Sequence, residues 1–169
     1  MLTIGYVRTM AAYNAELNRR LYGAAARLGD AARQADGGAF WRSIEGTFRH
    51  LLWADQMWMS RLAGWADPGV KLAQSDEFGP PGFAALAARR ADMDGGLVEW
   101  SRGIDPDWLD GELSWWSGSM QRDITRPRWM VLAHLFNHQT HHRGQAHALL
   151  TRAGERTGDT DLVFVVDPE

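Results

Sequence analysis

A chain of 169 residues with 45% apolar composition has enough material for one domain with its own core. It contains no cysteine, which excludes disulfides, thiolate ligands and cysteine nucleophiles and leaves histidine and carboxylate as the available metal-binding chemistry. Eighteen basic residues against twenty-one acidic ones, a net charge of −3, give no overall positive field to collect DNA or RNA. The opening MLTIGYVRTM lacks a charged segment followed by an apolar run, and no later run is long enough for a bilayer. The expectation is therefore a cytoplasmic protein with neither a nucleic-acid nor a membrane partner.

From Ile4 to Leu28, apolar positions recur at steps near three and four (Val7, Ala11, Leu17, Leu21, Ala25), predicting a long amphipathic helix with Asn14 as a polar interruption. After the Gly- and Asp-rich break GDAARQADGG, the same pattern runs from Phe40 to Trp65 through Ile44, Phe48, Leu51, Asp55, Trp58 and Leu62, ended by Gly64 and the DPG at 67–69. Residues 66–81 read as loop. Phe83, Leu86, Arg90, Met93, Leu97 and Trp100 predict a third helix, weakened by Gly95 and Gly96, each of which costs a helix interior about 1 kcal/mol relative to alanine. GELSWW and MQRDIT, split by Ser117, Gly118 and Ser119, predict a small hairpin or extended loop. A fourth helix follows Pro127, runs to about Ala153 and stops at Gly154. In the tail, LVFVV reads as a short strand or an extended segment packed on the rest. Four striped helices without repeats or linkers predict an all-α four-helix bundle forming a single domain over residues 1–169. Most of the nine tryptophans are expected to fill its core.

Five of six histidines lie on the fourth helix, at 134, 138, 141, 142 and 147. The expected core stripe there is Val131, Leu135, His138, His142, Gln145 and Leu149, so two imidazoles occupy places suited to leucine. A buried imidazole keeps a donor and an acceptor, and stranding one costs roughly 1–3 kcal/mol. His138 and His142, at i and i+4, face the same side one turn apart and can reach one divalent ion. Backbone or carboxylate partners, or exposure to solvent, satisfy the same spacing. Residue 139 is glutamine, so the HExxH metalloprotease arrangement is absent. One helix supplies too few ligands, and a third must come from elsewhere in the bundle. His50 is the only remote histidine, and it lies off the centre of its helix's stripe.

FRHLLWADQMW on the second helix, NHQTHHRGQ on the fourth and WWSGSMQRDITR leading into it together resemble the DinB/YfiT-like superfamily of metalloenzymes. The likeness spans nearly the whole chain, its most specific element being HxxxHRGQ after an Asn-His pair. Nothing in it resembles the DNA polymerase that shares the name. The resemblance implies a four-helix bundle of DinB/YfiT type with an unusual connection order, often dimeric, and a divalent metal, zinc or nickel, held by His50, His138 and His142. It also implies activation of water or a low-molecular-weight thiol.

On this reading the protein is a bacterial metal-dependent enzyme, a hydrolase or a thiol S-transferase acting on a small molecule as a homodimer. The alternative is a non-catalytic metal-stabilised bundle, serving as a stress-response dimer or small-molecule binding module. Around the ligands, His134 and His141 are expected beside the site or at the surface. Arg143 and Gln145 are expected in packing and hydrogen bonding, while Gly144 would admit a close helix. Asp55 would orient an imidazole, accept a proton or pair with an arginine. Trp58, Trp115 and Trp116 are candidates for the pocket wall.

Overall fold

The computed structural model describes residues 2–167. Four long helices carry the fold: α1 (Ile4–Ala26), α3 (Ile44–Ala63), α4 (Phe83–Arg102) and α5 (Arg128–Arg152). A five-residue helix, α2 (Asp30–Gln34), sits in the first connection, and a hairpin of β1 (Glu112–Ser117) and β2 (Arg122–Pro127) precedes α5. Two of these helices start at side-chain caps: the Thr3 hydroxyl accepts from the Tyr6 amide at 3.1 Å at the head of α1 and the Ser43 hydroxyl from the Gly46 amide at 2.9 Å at the head of α3. Gly64, in the left-handed region at φ 69°, ends α3. No described helix is long and apolar enough to cross a membrane.

Around the bundle the principal neighbours run α1, α4, α3, α5 and back to α1, so the chain passes from α1 to α3 and from α4 to α5 across the diagonals. Those two crossings are made by residues 27–43 and 103–127; residues 64–82, which join the adjacent α3 and α4, and residues 103–127 carry the extra structure around the site. Within residues 64–82, Leu72–Glu77 forms a 3-10 turn where the sequence suggested only loop. Arg49 of α3 fastens this segment by donating to the carbonyls of Phe78 and Pro80, each at 3.0 Å, and the Trp53 indole donates to the Val70 carbonyl at 2.9 Å.

Several expectations change. The second long helix begins at Ile44, not Phe40, whose side chain is exposed. Helix α4 runs unbroken through Gly95 and Gly96, because the Trp65 ring lies against Gly96, where a Cβ would sit 3.0 Å from it. The LVFVV tail is neither strand nor extended: Leu162–Val165 makes one helical turn, α6, with Leu162 and Val165 packed on the core while Val163 and Phe164 face out. Gly144 is exposed with open space around it, so no helix approaches there.

On α5 the buried arc is wider than the predicted stripe. Its centre runs through Leu132, Leu135, Phe136, Gln139, Arg143, Ala146 and Leu150, because α5 packs against both α1 and α3, and the histidines lie on the α3 shoulder of that arc. The apolar interior is correspondingly divided in two. One part gathers Val7, Leu17, Met59, Leu97 and Phe136; the other gathers Leu21, Phe48, Leu52, Leu86 and Leu150. Between these residues along the helices lies a buried polar layer. Arg90 donates to Asp55 at 2.7 Å and to Asp94 at 2.6 Å, and Asn18 donates to Asp94 at 2.9 Å. Gln139 donates to Asp55 and accepts from Arg143 at 3.1 Å.

Candidate metal centre

His50 comes from the middle of α3 and His138 and His142 from consecutive turns of α5, and the packing of those two helices brings all three imidazoles together. One ring nitrogen from each lies within 4.8 Å of the others, a set that could hold a metal ion. Nε2 of His50 and Nε2 of His138 are 3.2 Å apart, and the rings of His138 and His142 meet edge to face at 4.5 Å. Two nitrogens bound at zinc's usual distance in tetrahedral geometry stand about 3.4 Å apart, so the cluster spacing suits one shared cation.

The outward nitrogens are already engaged. Nδ1 of His50 lies 2.9 Å from the hydroxyl of Ser75, and Nδ1 of His142 lies 2.8 Å from the side-chain carbonyl of Gln145. Gln145 accepts there, so the His142 proton sits on Nδ1; Ser75 accepting likewise puts the His50 proton on Nδ1. Both Nε2 lone pairs are then free to point inward. Burial, followed by the neighbouring imidazoles, pushes His50 down to about 2 and His138 down to about 3, and burial lowers His142 as well. All three are therefore neutral at pH 7, the protonation state a metal requires. The donor set fits a divalent transition ion: borderline imidazoles, no hard carboxylate, and room for an exogenous ligand beside them.

That room is a cavity of about 1010 Å³, walled by His50, His138 and His134 together with Trp53, Trp58 and Trp115. His142 stands behind the other two, and Trp41 closes the far side of His50, its ring stacked at 4.1 Å and 22°. Trp58 meets Trp115 edge to face at 5.6 Å and His134 at 5.0 Å.

The remaining expected site residues divide. His134 borders the cavity, and His141 lies beside the His142 ring and takes a hydrogen bond from Gln145 at 3.3 Å. Trp115 faces inward on β1, but its neighbour Trp116 points to the opposite face and is 57% exposed, as strand alternation dictates. Asp55 does not touch an imidazole: five residues past His50 and so about 140° around α3, it points into the bundle and belongs to the polar layer, as does Arg143. Ser75, Trp41 and Trp53 were not read from the sequence as site residues. Trp53 had a usable signal, since it follows His50 by three residues and so shares its face. Ser75 and Trp41 lie in connections without periodicity.

A helical bundle joined across its diagonals, with three histidines gathered beside a cavity, is the class of protein that fold and site define. The model of the DinB family matches residues 1–169, and the chain belongs to that family. Among solved structures it is similar to a DinB-like protein from Bacillus cereus, at 20% identity and TM-score 0.65, over 87% of this chain and 90% of the other. It is also similar to YfiT from Bacillus subtilis, described as a probable metal-dependent hydrolase with an unusual four-helix bundle topology, at 14% identity and TM-score 0.61 over 91% of each chain. At these identities the likeness establishes the four-helix-bundle fold. No curated protein matches the chain.

Proposed function

We propose that the protein is a metal-dependent enzyme in which His50, His138 and His142 hold one divalent ion, zinc or nickel, and that the reaction is hydrolysis or transfer of a low-molecular-weight thiol. The observation that carries this reading is a set of three neutral imidazoles from two helices, with ring nitrogens within 4.8 Å of one another and two of the rings on a cavity wall. When bound, such an ion supplies positive charge and an open coordination position, lowering the pKa of water or a thiol toward neutrality.

The chain's own residues do the rest. Ser75 and Gln145 fix the orientation and tautomer of two ligands by accepting their Nδ1 protons. Trp53, Trp58 and Trp115 give the cavity an apolar lining that restricts water. His134, lowered by burial and bordering the cavity, is neutral at pH 7 and available to accept a proton from a bound nucleophile. A small-molecule substrate and a homodimer belong to the same proposal, with Val163 and Phe164, 77% and 81% exposed, as apolar surface a second copy would cover.

The test is elemental analysis of the purified protein beside the H50A single and H138A/H142A double variants. The wild type is expected to carry about one divalent ion per chain and both variants essentially none. Equal metal content in all three would end the proposal. A fourth protein ligand on the ion would favour a non-catalytic, metal-stabilised bundle.

A further inference from the structure

The cavity has a second end. His50, Trp53, Ala54, Met57, Trp58 and Arg61 all line it, and they fall at i, i+3, i+4, i+7, i+8 and i+11 of α3, a single stripe on one helix face. His50 and Arg61 therefore stand about 16 Å apart along the axis and only about 20° apart around it. The floor between them is apolar and aromatic.

Arg61 is held without being neutralised. Its guanidinium lies over the Trp58 ring at 4.9 Å and near the Trp115 ring at 5.5 Å, cation–π contacts that hold it beside both indoles. No carboxylate or carbonyl among the described residues bonds to it, whereas Arg49, Arg90 and Arg143 each have a side-chain partner. Asp67, the single carboxylate on the cavity wall, acts on Arg61 electrostatically but spends its own Oδ1 on the Gly69 amide at 2.7 Å. Three further cations, Lys71, Arg122 and Arg126, stand at the exposed rim. The lining thus carries four cationic side chains against one anionic, in a chain whose net charge is −3. Lined clefts of one sign concentrate ligands of the other.

We infer that the cavity takes an elongated substrate with an anionic end, a carboxylate or a phosphate, which Arg61 recognises while the rest of the molecule lies over Met57, Trp53 and Trp58 toward the histidines. The orientation rests on the histidine cluster being the reacting end; recognition of the anion does not. A guanidinium presents parallel N–H donors that match either oxyanion bidentately, and a half-buried position beside two indoles makes that pairing stronger than at an open surface.

The probe is dansyl-aminoundecanoate, compared with its uncharged primary amide, titrated by fluorescence into the whole chain with and without EDTA. The wild type is expected to bind the carboxylate at least about tenfold more tightly than the amide in both conditions. R61M should bind both as weakly as the wild type binds the amide, and R61K should keep part of the preference, since it retains charge without the planar fork. Melting curves identify any variant that has lost its fold, and R61Q then replaces it. Equal affinity for the two probes in the wild type would overturn the inference, as would a preference that survives R61M, which would assign the anion to the rim. A preference abolished by EDTA would assign it to the metal and overturn the inference as well. Loss of the Arg61 effect with metal content intact refutes this inference alone, and absent metal with the Arg61 effect intact refutes only the metal centre. Repeating the titration with a dansyl-labelled alkyl phosphate separates the two anions by relative affinity.

Discussion

The bundle contains two polar inclusions, and they are built oppositely. In the central layer each charged head group meets a protein partner: Arg90 bridges Asp55 and Asp94, Arg143 rests on Gln139, and two guanidiniums balance two carboxylates. Among these groups the Nε atoms of Arg90 and Arg143 are left over, and one turn before Asn18 the buried amide of Asn14 has no partner on either atom. In the histidine cluster the partners lie on the outside, at Ser75 and Gln145, and the inward nitrogens face one another. With the His50 and His142 protons on Nδ1, at most His138 can supply a proton to the three inward nitrogens, so lone pairs remain unmatched there unless a cation joins them. The saturated inclusion specifies how the helices pack; the unsaturated one is shaped for something that arrives later.

Breaking the saturated inclusion should have the largest effect. Arg90→Met leaves Asp55 and Asp94 buried without their shared cation, and removal of one partner from such a network costs about 3–5 kcal/mol. The loss should be visible as a lower urea midpoint. It should also shrink in acid: burial already raises Asp94, with Arg90 and Asn18 pulling the other way, so without Arg90 its pKa rises further. A carboxyl whose folded pKa exceeds its unfolded value binds its proton preferentially when folded, and the deficit is therefore smaller at acid pH than at neutral pH. An unchanged midpoint in R90M would mean that the layer does not hold the helices.

The comparison also marks what could be read in the chain. The four long helices were legible because each carries an apolar period of three to four residues next to glycine- or proline-containing breaks, and the hairpin because GELSWW breaks that period. The convergence of positions 50, 138 and 142 was carried by family likeness; periodicity placed His50 off its stripe, though its side chain is only 3% exposed. A helix with two neighbours buries a broad arc, and the centre of a pattern marks only part of it. For the same reason Gln139 was not assigned to the interior, and Arg143 only to packing and hydrogen bonding: a polar residue in the core, such as Gln139, becomes recognisable when its partner on another helix, here Asp55, is known. Ser75 and the 3-10 turn carrying it depend on contacts with α3 made by Arg49 and Trp53, which no local pattern reports.

A middle-sized effect sharpens the other side of the comparison. Ser75→Ala removes the acceptor from Nδ1 of His50 while the Arg49 and Trp53 bonds continue to hold the loop. Loss of such an outer partner lowers metal affinity by about 10- to 100-fold. Competition against a chromophoric chelator would measure this, with the melting point of the metal-free protein changing little. If affinity is untouched, Ser75 serves the packing of its turn and the histidines orient themselves.

The smallest effect comes from the surface, where charges need neither inclusion. Glu16 accepts from Arg19 at 2.7 Å and from Arg20 at 2.6 Å, and these bonds, that to Arg19 first, hold its carboxyl down at about 2 despite some opposing burial. A carboxyl with a folded pKa below its unfolded value stabilises the protein fully above the unfolded pKa and loses that contribution as pH falls through the folded one. Glu16→Gln should therefore destabilise at pH 7, with the difference from wild type fading between about 4.5 and about 2. Because both arginines reach solvent and water screens the pair, the difference at pH 7 should stay below about 1 kcal/mol. A loss approaching that of R90M would show that the partners of a charge matter less than its number of hydrogen bonds, and the distinction between the two inclusions would lose its physical basis.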